Sequence, residues 1–132
     1  MFGIIRNKER ADRKALRLEF ETTTQTLHSA DEVTQVAVGH CINLANTAFM
    51  ARFSSIERFK SMAINEKLDY IKSLSRAEGG LGQRDAEAAL GFGLFKMWIG
   101  AITANDDQLV AQFSKELAFF SRKGDLGGSG AL

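Results

Sequence analysis

Apolar residues recur at helical spacing along most of this chain. The longest apolar run, Ala86 to Ala104 (AEAALGFGLFKMWIGAITA), holds Gly91, Gly93 and Gly100. At about 100° per residue, Ala86, Ala89, Gly93, Gly100 and Ala104 fall on one narrow strip, and Leu90, Phe92, Leu94, Phe95, Met97, Trp98, Ile99 and Ile102 cover the rest of the circumference. Ala86, Gly93 and Gly100 repeat every seven residues, the period that keeps a seam against one neighbour. An interior glycine costs a helix about 1 kcal/mol against alanine, and close backbone approach is the compensation this spacing predicts. The strip is therefore expected to be a helix-packing seam. The run is near the length of a membrane span, but Lys96 lies near its middle, where a cation is costly. A central core helix is the reading that fits.

Cap signals divide the remainder. The first helix spans about 6–27. Ser29 and Glu32 have the spacing of a capping box and open a second helix that runs to Phe53. Ser54 and Glu57 repeat that signal and open a third, which continues through Phe59 toward Leu68, Ile71 and Leu74 with a break near Asn65. Glu78-Gly79-Gly80-Leu81-Gly82 reads as a loop. Asn105, with Gln108 three residues on, caps a last helix ending near Lys123 and Gly124. The remainder, 125–132, reads as a flexible tail. No strand pattern occurs. The expectation is an all-α fold: a single domain over 1–124, built as a compact bundle or orthogonal array of five or six helices around the glycine-containing apolar helix.

The first helix carries two apolar strips, Ile4, Ala11, Ala15 and Leu18 on one side and Ile5, Leu16, Phe20 and Leu27 on another. Both require cover, from within the domain or from another chain. Between them runs a basic stripe. Arg6, Arg10, Arg13, Lys14 and Arg17 project within about a third of the circumference. Such a stripe suits an acidic protein surface or an anionic membrane. The chain's net charge of only +1 and the absence of interleaved aromatics count against nucleic acid. In the last helix Leu109, Val110, Phe113, Leu117 and Phe120 share one face. Phe119 projects outside it, as an interface anchor would.

Composition narrows the rest. The 132 residues, 45% hydrophobic and 25% charged, suit one globular domain. The lack of proline suits helices with short connections. One cysteine forms no internal disulfide, and no secretory signal opens the chain, so the cytoplasm is the expected compartment. His28, His40 and Cys41 are too few and wrongly spaced for a tetrahedral metal site, and no Glu-x-x-His pair is present. The glycines at 79, 80 and 82 match no phosphate-loop motif. No catalytic residues and no cofactor are expected. The sequence favours a non-enzymatic helical protein–protein interaction module of the adaptor, inhibitor, immunity or assembly-factor kind, with Arg6, Arg10, Arg13, Lys14, Arg17 and Phe119 as partner-binding residues. A homo-oligomer fits the doubled apolar strips. The alternative is a helical bundle holding a small apolar ligand or cofactor. The two readings differ in one respect: a seam leaves the glycine strip under another backbone, whereas a pocket leaves it open.

Overall fold

The computed structural model describes residues 2–82 and 86–131, with side chains described for 10–77 and 86–125. Six helices follow in order: α1 (Phe2–Ser29), α2 (Glu32–Phe53), α3 (Ile56–Ser61), α4 (Ile64–Gly82), α5 (Ala86–Thr103) and α6 (Asp107–Ala131). No strand occurs among the described residues. The fold is the expected all-α array, with α5 packed against α1, α2, α4 and α6.

Each sharp connection is built one or two residues away from where the cap signals placed it. Asp31, not Ser29, caps α2, and its side chain accepts from the Thr34 N–H at 2.8 Å. Ser55, not Ser54, caps α3, accepting from the Arg58 N–H at 3.0 Å. Ser54 instead ends α2 with φ at 70°, its N–H donating to the Met50 carbonyl. Asn105 likewise ends α5 in the left-handed region, φ 56°. Its N–H reaches the Ile102 carbonyl and that of Asp106 reaches the Ala101 carbonyl, the paired bonds of a Schellman turn. Asp106 then caps α6, accepting from the Leu109 N–H at 3.1 Å. At the α2–α3 and α5–α6 junctions two consecutive polar residues, Ser54-Ser55 and Asn105-Asp106, serve two helices, so the outgoing helix takes one and the incoming helix the next. The break after α3 falls at Met62 and Ala63, ahead of Asn65.

Two segments expected to be irregular are helical. The backbone of α4 continues through the glycines to Gly82, and that of α6 continues past Lys123 to Ala131. Glycine lowers helix propensity by about 1 kcal/mol per residue without forbidding the conformation.

The core is aromatic. Phe49, Phe53, Phe59, Tyr70, Phe95 and Trp98 form edge-on and tilted ring contacts, with centroids from 4.9 to 6.3 Å apart. The α1–α2 corner is closed by Gln35. Its buried side-chain amide donates to the carbonyls of Leu27, His28 and Ala30 at the end of α1, where helix carbonyls run out of i+4 donors.

The glycine seam is not where the seven-residue spacing put it. A Cβ built on Gly93 or on Gly100 meets nothing within 4 Å. Ala86 and Ala104 are exposed and Ala89 is half-buried. The strip faces outward because Phe92, Phe95, Trp98, Ile99 and Ile102 decide which side of α5 is buried. Each gains roughly 1.5–3 kcal/mol by leaving water, far more than a backbone approach at glycine returns. The close crossing uses Gly91 instead, where a Cβ would stand 2.8 Å from Cys41 Cβ and 3.0 Å from the Val38 carbonyl oxygen. A second crossing joins α2 to α6 at Gly39 and Gly124. No helix of the described residues is long and apolar enough to cross a membrane.

Candidate interaction groove beside the basic helix

Helix α1 enters the core late. Phe20, Thr24 and Leu27 are buried and Leu16 is partly buried, whereas every residue from Arg10 to Ala15 is exposed. Of its two apolar strips, the one through Leu16, Phe20 and Leu27 packs inward. Of the other, Ala11 and Ala15 are exposed and Leu18 is 64% exposed, and the Ile4 side chain lies outside the described ones. The projecting part of α1 overhangs the corner where α5 passes into α6, and two recesses flank it.

The polar recess, about 420 Å³, has Arg10, Arg13, Lys14 and Arg17 on its α1 wall and 105–108 on the other. Both carboxylates of that second wall are already committed. Asp106 caps α6, and Asp107 lies 3.3 Å from Lys60 Nζ. Among the described residues no carboxylate pairs with the four α1 cations. Arg6 lies in the same helix, and its side chain is outside the described ones.

The apolar recess, about 500 Å³, is lined by Asp12, Arg13 and Leu16 of α1, Ile64 of α4, and Gly100, Thr103 and Ala104 of α5. Arg13 borders both recesses. Gly100 and Ala104, the C-terminal end of the outward-facing strip, form one wall, and a side chain at position 100 would enter this space. Ile64 remains 60% exposed at its edge. The sequence supplied both components, the strip and the stripe. It did not show that they adjoin, because that depends on where α1 leaves the core.

Comparison with protein-family models, with curated proteins and with solved structures gave no match. The site is therefore read from its chemistry alone.

Phe119 is not a projecting anchor. It is half-buried against the core, 5.0 Å from the His28 ring and 5.1 Å from Phe120, with Lys123 Nζ 5.4 Å above its face. The helical wheel placed it off the apolar face of α6, and the end of α1 covers that side. His28 in turn bonds Glu116 through Nε2 at 2.7 Å. His40 is exposed, and Cys41 is half-buried beside Gly91. No group of three or more His, Cys, Asp or Glu among the described residues is arranged to hold a metal ion.

A smaller hollow of about 180 Å³ lies between α2, α5 and α6, where Trp98 Nε1 donates to Ser114 Oγ at 3.2 Å. Among the described residues Tyr70 is the shifted group inside the core. Burial raises its phenol pKa, opposed by the positive charge of Arg52, whose guanidinium lies 5.4 Å from the ring centre. The hydroxyl has no hydrogen-bond partner among the described residues.

Proposed function

We propose that this chain is a non-catalytic docking module that binds an acidic, amphipathic helical segment of another protein along α1. The observation that carries this reading is the set of exposed cations Arg10, Arg13, Lys14 and Arg17, without carboxylate partners among the described residues, lining a polar recess that shares Arg13 with the apolar one. Like charges three and four residues apart on one helix oppose folding, so the arrangement does not serve stability. A segment with acidic flanks and one or two apolar side chains meets both requirements. The acids face the stripe, and an apolar anchor enters the space over Gly100 between Leu16 and Ile64. Recognition of this kind reads apolar anchors at helical spacing.

The test is a titration with a fluorescent peptide of about 20 residues that carries leucine at helical anchor positions and glutamate elsewhere. A second peptide with lysine replacing glutamate is the control. The acidic peptide should bind, more weakly as salt rises, and the basic one should not. Joint replacement of Arg10, Arg13, Lys14 and Arg17 by glutamine should weaken binding by roughly tenfold or more and flatten the salt dependence. Gly100→Leu should weaken binding at every salt concentration. Undiminished affinity in both variants would refute the reading, and binding to anionic vesicles in preference to the peptide would replace the protein partner with a membrane surface.

The open glycine strip supports a second reading, a small apolar ligand seated in the recess of about 500 Å³, a volume within the usual range for such sites. An environment-sensitive apolar dye separates the two. Dye binding abolished by Gly100→Leu but untouched by the four-glutamine variant supports the ligand.

A further inference from the structure

The recess over Gly100 carries two charges that an aliphatic anchor would leave unused. Leu16 follows Asp12 by four residues and Arg13 by three, so the two charges flank the leucine on one side of α1. All three line the recess of about 500 Å³. Its other walls carry Ile64 and Gly100, and a Cβ on Gly100 would meet nothing within 4 Å. Asp12 and Arg13 are both exposed, and neither has an ion-pair partner among the described residues. They do not pair with each other, because neighbours in sequence project about 100° apart on a helix. The Thr103 hydroxyl donates to the Ile99 carbonyl at 2.9 Å, so it is no donor to Asp12. The recess thus presents apolar walls, an anion without a donor and a cation without an acceptor.

We propose that this recess selects a tryptophan as the apolar anchor of the bound segment, with Asp12 as the residue that sets the selectivity. The inference rests on the docking reading above and specifies its anchor. An aliphatic anchor would cover Leu16 and Ile64, but it would also take water from the Asp12 carboxylate and return no donor, which is costly. A glutamate would meet that carboxylate as a like charge. A lysine or arginine would pair with Asp12 and stand against Arg13 and the rest of the stripe. An indole meets every wall. Its rings cover Leu16 and Ile64, and its N–H donates to Asp12, a bond strengthened by the charge of the acceptor. Its face is open to the Arg13 guanidinium, and among the aromatic side chains tryptophan makes the strongest cation–π contact. Tyrosine offers a donor on a smaller face, and phenylalanine offers none. The missing side chain at position 100 leaves room for the second ring. A carboxylate in a groove for an acidic partner weakens the general attraction, and in exchange it penalises every anchor that brings no donor.

The test uses acidic peptides identical except at one central anchor, which is leucine, tryptophan or 1-methyltryptophan. Each is titrated against the intact chain at fixed salt. The tryptophan peptide should bind roughly fivefold or more tighter than the leucine peptide. 1-Methyltryptophan keeps the rings but has no N–H, and it should lose most of that gain. Asp12→Ala should strengthen binding of the leucine peptide, since a like charge leaves the groove. The same variant should abolish the difference between tryptophan and its methylated form. Asp12 is exposed, so the variant should keep the helical circular dichroism of the parent, and the methylated peptide probes the same bond on the unaltered chain. Equal affinity for the leucine and tryptophan peptides, with the salt dependence intact, would overturn the selectivity and leave the docking reading standing. Equal affinity for tryptophan and 1-methyltryptophan, or a difference between them that survives Asp12→Ala, would overturn the role of Asp12. Binding of none of the three peptides would overturn the docking reading and the inference together.

Discussion

Gly39 on α2 and Gly124 on α6 meet backbone to backbone. A Cβ on Gly39 would stand 2.5 Å from the Gly124 nitrogen and 2.8 Å from its Cα, and one on Gly124 would stand 2.6 Å from the His40 nitrogen. Main-chain atoms cannot rotate away as a flexible side chain can. One turn along, Asn43 accepts from the Ser121 hydroxyl and donates through Nδ2 to Asp125 at 2.9 Å, so hydrogen bonds flank the contact. Gly39→Ala is therefore expected to force the helices apart and destabilise the fold by roughly 1–3 kcal/mol or more. Urea unfolding checks this, and a midpoint equal to that of the parent would refute the close crossing.

The glycines of the outward strip carry the opposite sign. Gly93 and Gly100 are helical, and a Cβ at either meets open space. Alanine there gains helix propensity and loses no contact. Gly93→Ala and Gly100→Ala should each raise stability by about 0.5–1 kcal/mol. A fall in the melting temperature of either variant would mean that a backbone does pass over the strip.

These two outcomes mark where the sequence was readable. Helix number and order were legible because apolar periodicity and polar junctions are local signals. Which glycines take part in crossings was not, since that depends on which arc of each helix the large side chains bury. Gly39 sits with Gln35, His40, Asn43 and Asn46, a set that reads as a polar surface. In the fold Gln35 closes the α1–α2 corner and Asn43 bridges to α6, so only part of that set faces water. The basic stripe from Arg10 to Arg17 was legible, because Arg10, Arg13, Lys14 and Arg17 are exposed and helical spacing alone aligns them. The recess beside it was not, because its walls come from three helices.

Acid should loosen the start of α2. Hydrogen bonds from Thr34, the side chain first and the backbone N–H second, hold the Asp31 carboxyl below its ordinary value of 3.8. A carboxyl with a depressed folded value contributes stability that is complete above the unfolded value. That stability is lost as pH falls through the folded one. An asparagine in its place would cap α2 comparably but carry no charge. Asp31→Asn should therefore match the parent melt at pH 7 and show a shallower loss of stability below about pH 4. Parallel pH profiles for the two proteins would exclude Asp31 as a contributor to acid unfolding.

Phe119 belongs to the packing of α1 on α6. Its ring sits against His28 and Phe120 without being fully buried. Phe119→Ala should cost about 1–3 kcal/mol, below the roughly 3–5 typical of a fully buried phenylalanine. It should leave peptide binding at the α1 groove unchanged under conditions where the variant is folded. Loss of binding with an unaltered melt would restore Phe119 to the partner surface.

The α1 cations should behave in the reverse way. Arg10 and Lys14, and Arg13 and Arg17, are like-charged pairs four residues apart, and Arg10 with Arg13 and Lys14 with Arg17 are three apart. Each such pair weakens a helix by about 0.2–0.5 kcal/mol at low salt. None of the four side chains has a carboxylate partner among the described residues that its removal would orphan. Replacing all four with glutamine is expected to hold or raise the melting temperature at low ionic strength. The difference should shrink as salt screens the repulsion in the parent. The same variant should lose the acidic peptide. Stability retained while binding is lost is the signature of a charge arrangement kept for a partner. A melt lowered by several degrees would instead place these cations among the contacts that hold α1 to the α5–α6 corner, and the groove would lose its principal argument.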